Sequence, residues 1–242
     1  MASLVDIYMK LPRYMASNSH TDEVFNKKRK PKTPVKFDIQ LNEEQKLAKD
    51  TILNNTITVL KGRAGSGKSL LAAQVALDLL YNKSVEKIII TRPTITAGES
   101  IGYLPGTLDA KLAPFTAPVY DNMYRLSPKE KIEKLVSEGL IEILPFAFMR
   151  GRNFTNCLVI ADEGQNITHT QMQLLLGRIC LGSKMIICGD ADQIDLPNKK
   201  DSGFDWICKH LDTVNGFAVE DLKTNHRHPI VSPILDIYHK YA

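Results

Sequence analysis

The residues best suited to chemistry are Gly62-Arg63-Ala64-Gly65-Ser66-Gly67-Lys68-Ser69, which fit the spacing G-x-x-x-x-G-K-[ST] at every fixed position. In such a loop the backbone N–H groups curl around phosphate oxygens, so Gly62 to Gly67 are cradle positions. Lys68 then reaches the β and γ oxygens, and Ser69 offers a hydroxyl to Mg²⁺. A second group, Asp162-Glu163, follows the apolar run Leu158-Val159-Ile160-Ala161. Parallel sheets present ligands at the carboxyl ends of their strands, where that run leaves the two acids. Asp162 is expected to hold Mg²⁺ opposite Ser69, directly or through water, and Glu163 to polarise the water that attacks the γ-phosphate. A third apolar run ends in Gly189-Asp190-Ala191-Asp192-Gln193. An amide at a neighbouring strand tip can touch the γ-phosphate, which makes Gln193 the candidate sensor with Asp190 alongside. The same residues also make an ordinary capped turn.

These groups work only if strands and helices deliver them to one place. Thr56 to Leu60 reads as a buried strand before the loop, and Leu70 to Leu77 as a helix after it. Further strands are expected at Lys87 to Thr91, Ile141 to Leu144, Cys157 to Ala161 and Lys184 to Cys188. Helices are expected around Ala113 to Arg125, at Lys129 to Ser137 and at Thr170 to Leu181. Another runs through Leu47, Ala48 and Ile52, capped by Asn42 with Gln45 three residues on. Alternating strands and helices predict an α/β fold with a parallel sheet covered on both faces. Residues 1–36 read as a basic tail with one short helix around Leu4 to Leu11, and the folded domain as residues 37–242.

Composition removes several function classes. At 242 residues and 43% hydrophobic, the chain can bury one substantial core. No apolar stretch reaches the length of a membrane span, and the N-terminus lacks the apolar core of a signal peptide. Cys157, Cys180, Cys188 and Cys208 show no C-x-x-C pairing, and the six histidines no H-E-x-x-H or finger spacing. Buried thiols in a reducing cytosol, and no structural metal, are the expectation. The net charge of +4 does not by itself indicate nucleic acid. Lys27-Lys28-Arg29-Lys30 with Lys32 and Lys36, punctuated by Pro31 and Pro34, reads as a solvated linker or as an arm touching nucleic acid. Phe146, Phe148, Arg150, Arg152 and Phe154 interleave aromatic and basic side chains. They suit stacking and phosphate contacts to a single strand, or equally a core of phenylalanines with arginines that pair across a subunit contact.

From about Phe37 onward the chain resembles the PhoH family, P-loop ATPases related to the first RecA-like domain of superfamily 1 helicases. The resemblance rests on Thr91-Arg92-Pro93, Ala97-Gly98-Glu99 and Gly102-Tyr103-Leu104-Pro105-Gly106, continuing through Lys111, Pro114, Pro118 and Tyr120-Asp121. Met149-Arg150-Gly151-Arg152, Asp162-Glu163-Gly164-Gln165-Asn166, Gly189 to Pro197 and Arg227-His228-Pro229 complete it. The chain departs from the usual pattern at Gly164, at Arg63, and at Asn225-His226 before Arg227.

The resemblance implies a three-layer P-loop NTPase fold, with ATP and Mg²⁺ as cofactors. It implies that Gln45 reads adenine, although a capping amide suffices to explain it, and that Arg227 acts as an arginine finger. The chain has room for one of the two domains a superfamily 1 motor needs. A neighbouring subunit is therefore expected to supply Arg227, giving a homo-oligomer, most simply a hexameric ring. Single-stranded RNA or DNA is the expected partner, RNA favoured, with Arg92 and Lys111 as further contact candidates. The activity is either ATP-driven work on that strand, including unwinding, or a nucleotide-gated scaffold with slow hydrolysis. A cytoplasmic protein of a bacterium or bacteriophage fits this picture.

Overall fold

Asn42 and Gln45 form the capping box that their spacing predicts. Asn42 Oδ1 accepts from Gln45 N at 2.7 Å, and Gln45 Oε1 accepts from Asn42 N at 3.2 Å. Together they start helix α1, Glu43–Asn54, which has no basic residue in its last turn. Lys184 supplies that charge from the sheet, its Nζ donating to the carbonyls of Ile52, Leu53 and Asn55 at 3.1, 2.9 and 2.6 Å. The computed structural model describes residues 37–93 and 108–241, without the side chains of 108–116, 232, 235, 239 and 240. The expected tail, its short helix and the motif residues 97–106 lie outside the described residues.

Six strands form one sheet in the order β3-β2-β4-β5-β1-β6. They are β1 Ile57–Lys61, β2 Lys87–Thr91, β3 Ile141–Ile143, β4 Cys157–Ala161, β5 Lys184–Gly189 and β6 Phe217–Asp221. Every pairing is parallel. The helices after α1 are α2 Lys68–Tyr81, α3 Leu108–Leu126, α4 Lys129–Ser137, α5 His169–Leu176, α6 Phe204–His210 and α7 Val231–Tyr241. Alternate strand residues face opposite layers. Leu60, Ile88, Ile90, Leu158, Ile160 and Ile186 pack with α1 to α4. Val59, Ile89, Val159, Met185 and Ile187 pack on the other face with Phe146, Phe154, Met172, Leu175, Phe204 and Ile207. This is the three-layer α/β arrangement expected. The register aligns the strand ends, with Lys61 beside Gly189 and Asp221, and Thr91 beside Ala161. Five strands thus release their chains along one carboxyl edge.

Two departures have physical causes. The helix expected over Thr170 to Leu181 stops at Leu176. Beyond Gly177 the chain pairs with Phe154, which donates to Arg178 O and accepts from Cys180 N, both at 2.8 Å. Leu174, Leu176, Ile179 and Leu181 continue an apolar spacing, but the bridge between Phe154 and Ile179 overrides it. Strand β6 and helices α6 and α7 had no expected counterpart. β6 is an edge strand whose middle residues are only half-buried, so its pattern is weak. Cys157 and Cys188 are buried thiols, and burial raises both above the usual thiol range. No described helix is long and apolar enough to cross a membrane.

Candidate functional site

A cleft of about 560 Å³ opens over the carboxyl edge, and its lining includes Gln45, Lys68, Ser69, Asp162, Glu163, Gln193 and Arg227. Seven residues singled out by the sequence therefore converge on one space. The glycine loop leaves β1 and enters α2, whose N-cap, Gly67, makes no side-chain cap. The first N–H groups of that 14-residue helix have no intrahelical partner, which suits an anion. Gly65 and Gly67 have φ of 91° and 84°. A Cβ at Gly67 would lie 2.5 Å from Gln45 Nε2, and one at Gly65 2.7 Å from Arg227 Cγ. Glycine is needed at both positions for backbone shape and for the residues that close over the loop. Lys68 Nζ donates to the carbonyls of Gly62 and Arg63 at 2.6 and 3.0 Å, which keeps the ammonium inside the curl. Ala64 N donates to Asp190 Oδ2 at 2.8 Å. Arg63 turns outward to Asp236 of α7 at 3.2 Å. Ser66 is buried beneath the loop.

Ser69 Oγ donates to Asp162 Oδ1 at 2.8 Å. A helical hydroxyl and a buried carboxylate side by side are the hard oxygen donors that Mg²⁺ prefers, so the residues fit that ion. Burial, and then the charge of Glu163, push the Asp162 carboxyl above the ordinary range, against the Ser69 hydrogen bond and Arg92. Glu163 has left-handed backbone, φ 54° and ψ 43°, costing about 1 kcal/mol for a residue with a Cβ. That turn separates the two acids: Asp162 meets Ser69, while Glu163 turns toward Arg92 at the neighbouring tip of β2. Arg92 Nη2 holds Glu163 Oε1 at 3.1 Å, and Gln165 Nε2 donates to Glu163 Oε2 at 2.6 Å.

Gln165 had been quoted only as part of a motif. It is 1% exposed and joins two strand tips, those of β4 and β5. Its Nε2 also donates to Gln193 O at 3.1 Å, and its Oε1 accepts from Asp190 N at 3.1 Å. Gln193 Nε2 donates to Asp190 Oδ2 at 2.7 Å, so the candidate sensor and the loop N–H of Ala64 share one carboxylate oxygen. The available signal was two amides, Gln165 and Asn166, directly after an acid pair. Asn166 locks to Asp195 through bonds of 3.1 and 2.8 Å. Arg125 of α3 and His226 also line the cleft and carried no local signal.

The sequence leads one to expect Arg227 from a neighbour, whereas within the single chain Arg227 lies at its own loop. Beyond β6, His226 N donates to Gly65 O at 2.9 Å, and the Arg227 side chain lies over Gly65 of its own chain. β6 pairs with β1, so the chain leaving β6 emerges beside the loop leaving β1. Gln45 combines its capping role with a place in the cleft, its Nε2 3.4 Å from His226 Nε2.

The aromatic and basic stretch is also corrected in part. Phe146 and Phe154 are core residues, and Arg152 makes two bonds to Glu142, 2.8 and 3.0 Å. Phe148 and Arg150 remain exposed, whereas Arg92 is committed to Glu163. Lys111 lies in α3 with its side chain outside the described residues. Arg152, with Lys87 on the other side, holds the Glu142 carboxyl at about 2 against the opposing effect of burial. A folded value below the ordinary 4.5 stabilises the fold above that pH, and the contribution is lost as pH falls toward 2. Glu142→Gln is expected to cost about 1–3 kcal/mol at pH 7 in urea unfolding. The difference from wild type should shrink between pH 4.5 and 2; a difference independent of pH would show that the charge of Glu142 contributes nothing.

A model of the family described as PhoH-like protein matches residues 39–239. A PhoH-like protein of Synechocystis is 43% identical over 191 residues, covering 78% of this chain and 58% of that protein. One from Mycobacterium tuberculosis is 42% identical over 199 residues, covering 81% of this chain and 56% of its own. The chain thus spans a little over half the length of these relatives. The large terminase of the thermophilic bacteriophage D6E superposes with a TM-score of 0.52 at 9% identity, covering 82% of this chain and 50% of that one. At that identity the likeness concerns the fold alone. On the match over residues 39–239 and the identity to these relatives, the chain belongs to the PhoH-like protein family.

Proposed function

We propose that the chain binds ATP with Mg²⁺ in this cleft, hydrolyses it, and couples hydrolysis to single-stranded nucleic acid, RNA in preference to DNA. The observation that carries this is the 2.8 Å contact of Ser69 with Asp162 beside the loop that holds Lys68, with Glu163 alongside. Bound Mg²⁺, held by Ser69 and Asp162, would neutralise charge on the β and γ oxygens. The loop N–H groups and Lys68 position the phosphates, and Glu163 takes the proton of the attacking water. Arg227 offsets charge developing on the γ-phosphate, and Gln193 registers its presence.

Coupling to a strand has a physical route through Arg92. Its guanidinium holds Glu163, and a polynucleotide phosphate that attracts Arg92 would release the carboxylate for proton transfer. Exposed Phe148 and Arg150 offer further contact, unwinding being one outcome of it. The same observation favours a second reading, a nucleotide-gated scaffold, because a glutamate held at both oxygens hydrolyses slowly. ATP turnover with and without single-stranded RNA separates them. Stimulation of about tenfold or more, lost in Lys68→Ala, is expected; a flat response at all RNA concentrations favours the scaffold.

With Arg227 already over its own loop, the nucleotide site does not itself call for a neighbour. Support for a homo-oligomer, a hexameric ring included, comes from α7 and its approach, where Ile230, Ile234, Ile237 and Tyr238 share one exposed face. Sedimentation of the ATP-bound chain as a fully active monomer removes that proposal.

A further inference from the structure

Resting on the proposal that Glu163 takes the proton of the attacking water, the geometry points to Gln165 as the positioning residue that fixes Glu163 by one oxygen and leaves the other to act. The partners of the Gln165 amide allow it one orientation. Asp190 N can only donate, so the atom facing it at 3.1 Å is Oε1. The Glu163 carboxylate and the Gln193 carbonyl accept, at 2.6 and 3.1 Å, so the atom facing both is Nε2. Both amide hydrogens are thereby spent. The backbone is pinned as well. Ser202 Oγ donates to Gln165 O at 2.7 Å, and Gly164 sits so close to β5 that a Cβ there would lie 2.8 Å from Ile187 Cγ2. Gln165 forms part of the cleft wall, yet it is 1% exposed and has no hydrogen left to offer a ligand.

The two oxygens of Glu163 are therefore held in unlike ways. Oε2 meets a buried amide whose other partners are backbone groups of the segment leaving β5. Oε1 meets Arg92 Nη2 at 3.1 Å, the end of a long side chain that solvent reaches. An arginine can swing to another anion, whereas the buried amide cannot turn without losing all three of its bonds at once. Release of Arg92 then frees Oε1 alone, and Oε2 keeps the carboxylate aimed. Without Gln165 the freed carboxylate would rotate about its side-chain bonds, and a reacting group misplaced by about 1 Å can cost 10²-fold in rate. Asp190 also takes Ala64 N of the glycine loop through Oδ2 at 2.8 Å, so the anchor that aims the base is tied to the phosphate cradle. Gln165 acts through Glu163.

The test is a double-mutant cycle on the full chain: wild type, Gln165→Met, Glu163→Gln and the double variant, with ATP turnover, Mg–ATP affinity and melting temperature measured for each. Gln165→Met keeps the length of the side chain and removes the donor. Its kcat should fall about 10–100-fold, with Mg–ATP affinity within about threefold of wild type. In Glu163→Gln, Arg92 holds the carbonyl at Oε1, so two NH₂ groups face each other and the aiming bond is already gone. Removing Gln165 in that background should lower kcat by less than about threefold. An equal loss in both backgrounds would mean that Gln165 contacts the reacting groups itself or merely supports the fold, and overturns the inference. Loss of affinity with kcat retained overturns it too. Gln165→Asn, polar and one methylene shorter, runs the same cycle should methionine not be tolerated at this buried position. An unchanged kcat in Gln165→Met, with Glu163→Gln strongly impaired, overturns the inference and leaves Glu163 standing as the base. A Glu163→Gln kcat near that of wild type overturns both.

Discussion

Replacing Glu163 with Gln is expected to lower kcat for ATP hydrolysis by about 10²–10⁴-fold while leaving Mg–ATP affinity within a few-fold of wild type. The amide has the shape of the carboxylate but cannot take a proton from water. The left-handed backbone at position 163 imposes the same strain on either residue, so the turn that aims the side chain survives. Arg92 keeps a neutral acceptor at Oε1, and the one hydrogen bond lost is that from Gln165, whose amide stays held by Gln193 O and Asp190 N. The phosphate-holding groups, Lys68 and the start of α2, are untouched. Single-turnover hydrolysis and equilibrium binding on the same protein check both halves. A kcat within threefold of wild type would mean that the proton goes elsewhere, and Glu163 would then be a structural partner of Arg92.

Arg227→Ala should remove about 10³-fold or more from kcat, since an arginine at the transferring phosphoryl group is worth 10³–10⁵. Its side chain reaches the loop at Gly65, in the cleft that also holds Lys68 and Glu163. Arg227→Lys should recover little, because a point charge on a flexible stem does not reproduce the planar fork. Substrate affinity should change far less than turnover, since the charge it offsets grows in the transition state. Loss confined to affinity, with kcat retained, would place Arg227 among the groups that merely hold the triphosphate.

How much of this was legible depended on whether a decision was local. The bounds of β2, α4 and β4 coincide with those expected, because each apolar run is bracketed by charge or turn chemistry of its own. The Asn42–Gln45 box was equally local. Asp162 and Ser69 were brought together by a motif whose spacing encodes a strand-to-helix turn. Non-local partners were the difficulty. Phe154 and Arg152 look the same in sequence whether they stack on bases or pack against Ile179 and pair with Glu142. Arg227 is expected from a neighbour on domain count alone, and the return of the chain beside β1 is not legible because β6 is a half-buried edge strand with little pattern. Gln165 and His226 meet partners on another strand tip and on α1, a relation no window of sequence contains.

One chain, on this account, carries a whole nucleotide-hydrolysing site, with Lys68 and Arg227 serving the same cleft. The most direct measurement is ATP turnover by an equal mixture of Lys68→Ala and Arg227→Ala proteins, unfolded and refolded together so that subunits exchange. If both residues act in cis, no combination of these chains contains an intact site, and the mixture should stay at the sum of the two single variants, far below wild type. Recovery to about a quarter of wild-type turnover would contradict the account, since a Lys68 site would then be completed by the Arg227 of a neighbouring subunit.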